Sequence, residues 1–350
     1  MASVQDRLRT ALTISTAPGA SSKKGHGVNP VGIKKVTERE FAKRYKMGQQ
    51  VMESTNAGMD VVQAVRLEDG LPVVIKTRQR PGSFKTPEVE RDWRRTTEVQ
   101  LGMPQTCRLC EYFEVLETDK CYFVIMEKVE GKDLFEVISE ARPAREEARD
   151  IVRQILEALD VLHSHGRIHK DLKIENVMVD LSASGSSVVS PQRRTPESAA
   201  ASRTRSFGAS PATTKLIDFD TVEDWEPSSP SAKEVLGTDG YIAPEAYLGQ
   251  YSPASDVYAA GVVMYKVLVG EFPTREEIFD DEPGENWVGS PSMKRIYARL
   301  QKEVIDFTRP PFDKDVLAAD LCCKLLAFEA IDRPSAADAL KNAWFYEEPR

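Results

Sequence analysis

Four short motifs carry side chains that suit chemistry on a phosphate group and a metal ion. They are residues 73–76 (VVIK), 169–176 (HKDLKIEN), 218–220 (DFD) and 237–245 (GTDGYIAPE). Carboxylate and amide oxygens are the ligands that Mg²⁺ prefers in proteins. A lysine ammonium binds phosphate as a point charge, and a carboxylate can accept the proton of a hydroxyl. The motifs therefore indicate a site that handles a phosphorylated ligand.

In this order, the motifs resemble those of the eukaryotic protein kinase family, over about residues 45–346. The Asp-Leu-Lys form within residues 169–176 is that of Ser/Thr kinases, and the stretch after residue 131 is similar to the calcium/calmodulin-dependent and calcium-dependent kinase group. The resemblance implies transfer of the γ-phosphate of ATP, with Mg²⁺, to a Ser or Thr hydroxyl of a protein substrate. The alternative is a pseudokinase that binds nucleotide or acts as a scaffold.

The resemblance also implies a role for each polar residue of the motifs. Asp171 would accept the hydrogen bond of the acceptor hydroxyl, and Lys173 would contact phosphate. Lys76 would hold the α- and β-phosphates. Asn176 and Asp218 would be the metal ligands. Outside this pattern, Lys76 could equally be a strand lysine that reaches solvent, and Asn176 and Asp218 could be turn caps.

The family pairs its strand lysine with a glutamate from a helix, and the sequence offers several positions for it. Counting back from Pro104 lands on Arg94, with Glu90 and Glu98 one turn on either side. We expect Glu98 to pair with Lys76, with Glu90 as the alternative. The opposing interpretation is that both glutamates belong to the solvated face of a charge-rich helix.

Nucleotide contacts are implied by the resemblance around the segment that joins the two predicted lobes. Met126 would be the gatekeeper, the backbone of Glu127 and Val129 would meet adenine, Asp133 would reach the ribose, and Met178 would lie under the base. A methionine in an apolar strand is more often plain core. The nucleotide-binding residues implied in full are Val61, Val74, Lys76, Met126, Glu127, Val129, Asp133 and Met178.

The sequence departs from the family pattern at two places beside the phosphates. Where the family has three glycines in its phosphate-covering loop, this chain has Ser54, Asn56 and Met59, and Gly58 is out of register. Glycine permits close backbone approach, so its loss bears on nucleotide clamping. Asp220 replaces the glycine of the Asp-Phe-Gly motif. Asp220 would bind a second ion, restrict backbone mobility, or repel phosphate.

A further departure concerns regulation. Lys170 stands where the family usually has arginine, and Glu234 stands three residues before Gly237, where many kinases carry an activating phosphothreonine. Phosphate commonly docks on that arginine through charge-assisted hydrogen bonds. We expect a Lys170–Glu234 pair as a permanent substitute, and hence activity without phosphorylation of this loop.

Three other matches are expected to be structural, and a fourth residue bears on specificity. Asp256 resembles the buried carboxylate that anchors the catalytic-loop backbone, and Glu245 with Arg333 resembles a buried ion pair of the family. Glu175 and Asp133 would favour basic residues near the acceptor. Lys266 stands where basophilic relatives carry an acid, which argues against a strong preference.

The elements that would position these residues follow the period of the apolar side chains. The pattern is strand-like up to about residue 128 and helical after Gly131, which predicts an α+β fold of two lobes. We predict a disordered tail over 1–35, a β-rich N-lobe over 36–128 and an α-rich C-lobe over 129–346. A low-complexity insertion over 181–214 is predicted to be disordered; the alternative is a regulatory segment, because Ser206 follows Arg-Thr-Arg.

Composition excludes several other classes of protein. The 350 residues include 47 basic and 55 acidic side chains, a net charge of −8, which argues against a nucleic-acid-binding role. No apolar run approaches the roughly 18 residues of a membrane span. Five cysteines are too few for a disulfide framework, and the first residues lack an apolar signal core. We therefore expect a cytoplasmic, reducing location.

Overall fold

The N-terminal part of the protein is built on one six-stranded sheet. The computed structural model describes residues 32–52, 59–181 and 212–347. The strands run in the order β1-β5-β6-β4-β3-β2, with β1 parallel to β5 and the other neighbours antiparallel. Their bounds are β1 Lys34–Lys35, β2 Tyr45–Met52, β3 Met59–Arg66, β4 Pro72–Gln79, β5 Tyr112–Glu117 and β6 Cys121–Glu127.

Strand β4 shows how this sheet separates its core from the functional site. Val73 and Ile75 are fully buried in an apolar cluster that also contains Phe41. Successive side chains of a strand point to opposite faces, so Val74 and Lys76 lie on the other face. Burial of one face therefore directs Lys76 towards the second part of the protein.

Helices flank the sheet and include the one that was expected to supply a glutamate. Their bounds are α1 Glu38–Arg44, α2 Arg80–Ser83 and α3 Pro87–Leu101. Helix α3 begins after Thr86, whose side chain accepts the N–H of Val89, and ends before Gly102. A capping threonine, a proline in the first turn and a following glycine are the ordinary signals of helix ends, and all three are present here.

The C-terminal part is mainly helical, so the predicted α+β fold with a β-rich and an α-rich lobe is confirmed. Helix α5 buries an apolar stripe that includes Ile151, Ile155 and Leu159, whereas α6 is buried on nearly every side. The helices are α4 Leu134–Glu140, α5 Arg145–Ser164, α6 Pro253–Val269, α7 Pro291–Leu300, α8 Val316–Leu325 and α9 Ala336–Ala339.

Short strands and 3₁₀ turns complete this part and carry the motifs. Strands β7 Lys132–Asp133, β9 Val177–Asp180 and β10 Thr213–Leu216 form a three-stranded sheet, and β8 Arg167–Ile168 pairs with β11 Glu223–Asp224. The 3₁₀ turns are Ile174–Asn176, Pro244–Leu248, Glu276–Ile278, Ala330–Asp332 and Ala343–Phe345. Two of these 3₁₀ turns, Ile174–Asn176 and Pro244–Leu248, include residues of the motifs at 169–176 and 237–245.

Two short strands extend into ranges that composition assigned to a tail and an insertion. Strand β1 lies within 1–35, and the first residues of β10 lie within 181–214. Each pairs with an existing strand edge, which composition cannot reveal. Residues 1–31 and 182–211, Ser206 among them, lie outside the described residues, and so do Ser54, Asn56 and Gly58.

Two further expectations concern the protein as a whole. All five cysteines are free thiols in the structure. Among the described residues, no helix is both long enough and apolar enough to cross a membrane.

Candidate active site

Lys76 is the residue at which the two parts of the site meet. Its ammonium group contacts the carboxylate of Asp218, and it lies 3.1 Å from a carboxylate oxygen of Asp220. Burial by itself would lower the pKa of Lys76, but the two carboxylates raise it well above its ordinary value. Lys76 is therefore a permanently charged group in the cleft.

The pKa values of the two carboxylates beside Lys76 are shifted in opposite directions. For Asp218, burial opposes ionisation but the attraction of Lys76 is stronger, so its pKa lies below the ordinary value. For Asp220, burial and the neighbouring charge of Asp218 raise the pKa despite the attraction of Lys76. Like charges that share one site separate in this way, and Asp218 is the more firmly ionised of the two.

Backbone strain occurs at this site, and a buried carboxylate supports it. Among the described residues, the non-glycine residues with positive φ are Lys170 at 71° and Asp218 at 61°. Such conformations cost about 1–3 kcal/mol each and persist only where the surroundings enforce them. Asp256 accepts the N–H groups of His169 at 2.8 Å and Lys170 at 2.9 Å, and it also contacts His163 at 2.9 Å. Asp256 thus has the anchoring contacts that the sequence indicated.

The carboxylate of Asp171 already accepts a hydrogen bond from a hydroxyl. The Thr238 side chain donates to Asp171 Oδ1 at 2.7 Å and accepts from Lys173 Nζ at 2.9 Å. Lys173 Nζ also lies 3.3 Å from Asp171 Oδ2. The Asn176 amide donates to the backbone carbonyl of Asp171 at 2.9 Å, which leaves its side-chain oxygen available as a ligand. The arrangement can orient a hydroxyl beside a cation.

Pairing of two strands brings the remaining acidic and amide groups together. In the β9–β10 ladder, Val177 lies opposite Leu216. The N–H of Ile217 donates to the carbonyl of Asn176 at 2.9 Å. Asn176 and Asp218 are therefore neighbours in space, and the ends of the two strands set the position of both.

An aromatic contact connects the site to both parts of the fold. The Phe219 ring is fully buried and lies 5.1 Å from the His169 ring and 5.9 Å from the Tyr112 ring. The Phe219 N–H donates to the Tyr112 hydroxyl at 3.2 Å. Tyr112 belongs to β5, and His169 begins the catalytic loop, residues 169–173. Phe219 therefore connects the sheet to the helical part.

The predicted nucleotide-binding residues of the sheet share the face of Lys76. Val61 lies directly opposite Lys76 in the β3–β4 pair, and Val74 lies opposite Met126 in the β4–β6 pair. Met126 is buried, with 5% of its surface exposed. These apolar side chains therefore lie on the same face of the sheet as the Lys76 side chain.

The other predicted nucleotide contacts lie at the end of β6, in the segment that follows it, and in β9. The Glu127 N–H donates to the Glu111 carbonyl at 2.8 Å, and the Glu127 side chain pairs with Lys215. The Asp133 carboxylate accepts the N–H of Glu136 at 2.8 Å and so caps helix α4. Val129 packs against the main core, and Met178 lies opposite Asp133 in the β7–β9 pair.

Comparison with known proteins identifies the family. Residues 57–345 match the family described as protein kinase domain. The chain belongs to the protein kinase family. Because this match spans most of the chain, the resemblance carried by the four motifs is confirmed.

Curated relatives of this kinase chain are distant but cover most of it. Calcium-dependent protein kinase 8 of Arabidopsis thaliana is 27% identical over 72% of this chain and 40% of its own length. CaM kinase-like vesicle-associated protein of Xenopus laevis is 26% identical over 81% and 70%. CBL-interacting protein kinase 31 of Oryza sativa subsp. japonica is 32% identical over 86% and 57%. The chain thus spans about half the length of several curated relatives.

The expected pair between Lys76 and a helix glutamate is corrected by the structure. Glu98 is exposed, and Glu90 hydrogen-bonds to Tyr122 and lies 3.5 Å from Arg80. The buried side chains of helix α3 are the uncharged Thr97 and Gln100, and Glu98 lies on the solvated face of the helix. The kinase lysine takes its partners from the Asp218 motif instead.

The expected partner of Lys170 is corrected as well. The Lys170 ammonium pairs with Glu223 at 2.6 Å and lies 4.6 Å from the centre of the Tyr251 ring. Glu234 forms an isolated backbone bridge with Trp287. Pairing of β11 with β8 brings Glu223 to the lysine, and among the described residues no ion pair joins Lys170 to Glu234.

The buried ion pair of the kinase helical lobe is present where the sequence indicated it. Arg333 donates to both carboxylate oxygens of Glu245, at 2.7 and 2.8 Å, and its side chain has no exposed surface. Ser255 also donates to Glu245 at 2.9 Å. A bidentate pair of this kind fixes the position of the segment that follows Gly237.

Sequence reasoning missed two residues that contact the site. Thr238 bridges Asp171 and Lys173, and the amide of Gln100 donates to the Phe219 carbonyl at 2.8 Å. Thr238 stood inside a recognised motif, so its position was a signal that could have been used. A single glutamine in a charge-rich helix gives no comparable signal.

Proposed function

We propose that the chain is an ATP-dependent protein kinase that transfers the γ-phosphate to a Ser or Thr hydroxyl of a protein substrate. The observation that carries this proposal is the hydrogen bond of 2.7 Å from the Thr238 hydroxyl to Asp171. It supports Asp171 as the carboxylate that orients an acceptor hydroxyl. The Asp-Leu-Lys form of residues 171–173 supports the choice of acceptor, because it resembles that of Ser/Thr kinases.

The residues around Asp171 fit what phosphoryl transfer requires from a protein. The reaction depends on positioning and charge neutralisation, with little covalent work by side chains. Lys76 would hold the non-transferred phosphates, and Lys173 would neutralise charge beside the acceptor. Asp171 would accept the hydrogen bond of the hydroxyl and take its proton as the phosphate bond forms.

The oxygen donors of the site fit Mg²⁺ that arrives with the nucleotide. The described residues contain no cluster of three or more His, Cys, Asp or Glu side chains suited to hold a metal alone. Mg²⁺ commonly uses one or two protein oxygens together with phosphate and water. Asn176 and Asp218 would supply those oxygens, and the ion would neutralise phosphate charge.

A phosphotransfer assay with two matched variants tests this proposal. Wild-type protein should phosphorylate a Ser/Thr peptide library with ATP and Mg²⁺, and Asp171→Asn should lower kcat by about 10²–10⁴-fold. Both proteins should show the same nucleotide-dependent rise in Tm, because Asp171 is not a predicted ATP ligand. Wild-type turnover no greater than that of the variant would remove the proposed activity.

We also infer that this activity does not depend on phosphorylation of the loop before Gly237. Lys170, the cation that would receive a phosphate, has 5% of its side chain exposed and pairs with Glu223. A carboxylate there would act as a permanent counter-ion, although lysine forms a weaker contact than the bidentate arginine. Protein treated with phosphatase should keep its activity.

A nucleotide-binding module without transfer is the second candidate function. The observation that favours it is the ion pair of Asp220 with Lys76 at 3.1 Å, because an ammonium group held by a second carboxylate is less free to align the phosphates for transfer. The same assay separates the two functions. A nucleotide-dependent rise in Tm without turnover would support the binding module.

A further inference from the structure

Helix α3 has no carboxylate that contacts Lys76. Its fully buried side chains are Thr97 and Gln100, and both are uncharged. Within the described part of the chain, the ion pairs of Lys76 are those with Asp218 and Asp220. The acidic side chains of the helix are exposed or engaged elsewhere: Glu88, Glu90, Asp92 and Glu98.

Asp220 joins the strand lysine to the helix with a single carboxylate. One of its oxygens lies 3.1 Å from the Lys76 ammonium. The other accepts a hydrogen bond of 3.2 Å from the side-chain amide of Gln100. The same amide donates to the carbonyl of Phe219 at 2.8 Å, so Gln100 is fixed by two acceptors of the 218–220 motif.

We propose that Asp220 and Gln100 together replace the helix glutamate as the positioning residues for Lys76. Asp220 supplies the charge and Gln100 supplies the attachment to helix α3. This inference rests on the proposed function only for its kinetic consequences, since the connection itself is a property of the free protein. On this proposal, the replacement of the motif's glycine by Asp220 is needed to position Lys76.

The partition of roles between the two carboxylates supports this assignment. Asp218 is the predicted metal ligand, and a carboxylate that coordinates a cation has less capacity left for an ammonium group. When Asp218 binds the metal, Asp220 would remain as the ion-pair partner of Lys76. Glycine at this position would leave Lys76 without one.

The helix has a second, independent contact with the strand, which keeps the proposal testable. The Arg78 guanidinium on β4 lies 4.1 Å from the centre of the Phe84 ring and 5.5 Å from that of Trp93 on α3. Cation–π contacts of this kind stabilise the packing of the helix on the strand in addition to the connection through Asp220 and Gln100. Variants at 220 and 100 should therefore fold.

The test compares Asp220→Gly, Gln100→Met and the double variant with Asp92→Asn, an exposed carboxylate on the same helix. Two quantities are measured: kcat/KM for ATP over a series of Mg²⁺ concentrations, and hydrogen exchange of residues 87–101 in nucleotide-free protein. Thermal unfolding of each variant checks that it is folded.

We expect each single variant to lower kcat/KM for ATP by about 10- to 100-fold, because a misplaced positioning group costs this much. The double variant should be no worse than Asp220→Gly, since the two residues form one connection. Exchange in helix α3 should rise in all three, the Mg²⁺ requirement should not change, and Asp92→Asn should match wild type.

Other outcomes would overturn the inference. Asp220→Gly with activity equal to or above that of wild type would mean that the carboxylate hinders the reaction. A raised Mg²⁺ requirement in Asp220→Gly would mean that Asp220 is a metal ligand. Additive losses of kcat/KM in the double variant would mean that Asp220 and Gln100 act independently. If wild type shows no phosphotransfer, the proposed function fails, and the exchange measurement alone then decides: faster exchange in helix α3 supports the connection, and unchanged exchange refutes it.

Discussion

Lys170 and Glu223 form an ion pair of 2.6 Å that spans the catalytic loop and the segment after Asp220. The lysine side chain is 5% exposed, whereas the glutamate side chain is 55% exposed. A half-exposed partner contributes modestly, but it compensates a buried charge in a backbone conformation with positive φ. The pair therefore links charge balance to the geometry of the catalytic loop.

Replacing Glu223 with glutamine should lower the activity of phosphatase-treated protein by up to about fivefold, which corresponds to about 0.2–1 kcal/mol for an exposed pair. The matched control is Glu234→Gln, which the structure separates from Lys170 and which should leave activity unchanged. Initial rates at saturating ATP measure both. A loss of activity in Glu234→Gln but not in Glu223→Gln would support the Lys170–Glu234 pair that the sequence suggested.

Glu98→Gln should change kcat and KM for ATP by less than about twofold, because surface substitutions away from a site have small effects. Lys76→Met should instead lower kcat/KM for ATP strongly, because it removes the ammonium beside two carboxylates. Steady-state kinetics under identical conditions compare the two variants. A large defect in Glu98→Gln would mean that helix α3 rotates during turnover.

Lys266→Glu should shift substrate preference towards peptides with basic residues next to the acceptor. The Lys266 ammonium lies 3.4 Å from the centre of the Phe272 ring, and burial lowers its pKa while Glu175 raises it. Reversal of this charge would place a second carboxylate near Glu175. A peptide library measures the preference, with Lys341→Glu as a control of equal charge change at an exposed site. An unchanged preference would exclude Lys266 from substrate selection.

Glu245→Gln should lower the free energy of unfolding by about 3–5 kcal/mol, because it leaves the buried charge of Arg333 without its partner. Lys324→Gln, which breaks an exposed pair with Asp320, should cost less than about 1 kcal/mol. Chemical denaturation of both variants gives the comparison. Equal costs would mean that solvent reaches Arg333.

Stability should fall in acid partly through Asp256. Burial alone would raise its pKa, but hydrogen bonds from His163 and the catalytic-loop backbone lower it below the ordinary value. The unfolded state therefore takes up the proton first, so this contribution is complete above about pH 4 and disappears as the pH falls through the folded-state pKa. Asp256→Asn should unfold more easily at pH 7 and show a smaller loss between pH 5 and acid, as measured by denaturation at each pH.

The parts of the fold that the sequence predicted well are those set by neighbouring residues. The β-rich lobe before about residue 128 and the α-rich lobe after Gly131 follow from the period of the apolar side chains. The Glu245–Arg333 pair was also predicted, because the resemblance to the family implied it. Roles assigned to Asp171, Asn176 and the nucleotide-binding residues stay predictions until activity is measured.

The predicted pairs that failed, Lys76 with Glu98 and Lys170 with Glu234, share one cause. Each depended on the rotation of a helix or the path of a loop, and a shift of one or two residues changes which side chain faces inward. Counting along the chain cannot supply that rotation. Glu223 reaches Lys170 because β11 pairs with β8, a contact between distant segments.

By itself, the sequence determined the family, the order of the lobes and the kinds of side chain at the site, because motif spacing and apolar period are local properties. Only the tertiary structure decided which carboxylates surround Lys76. Asp218 is 142 positions away in the chain, and the contact exists only once β4 and the 218–220 motif meet in the cleft. Side-chain partners at such separation are set by packing of whole elements, and the chemistry of Asp220 follows from that packing.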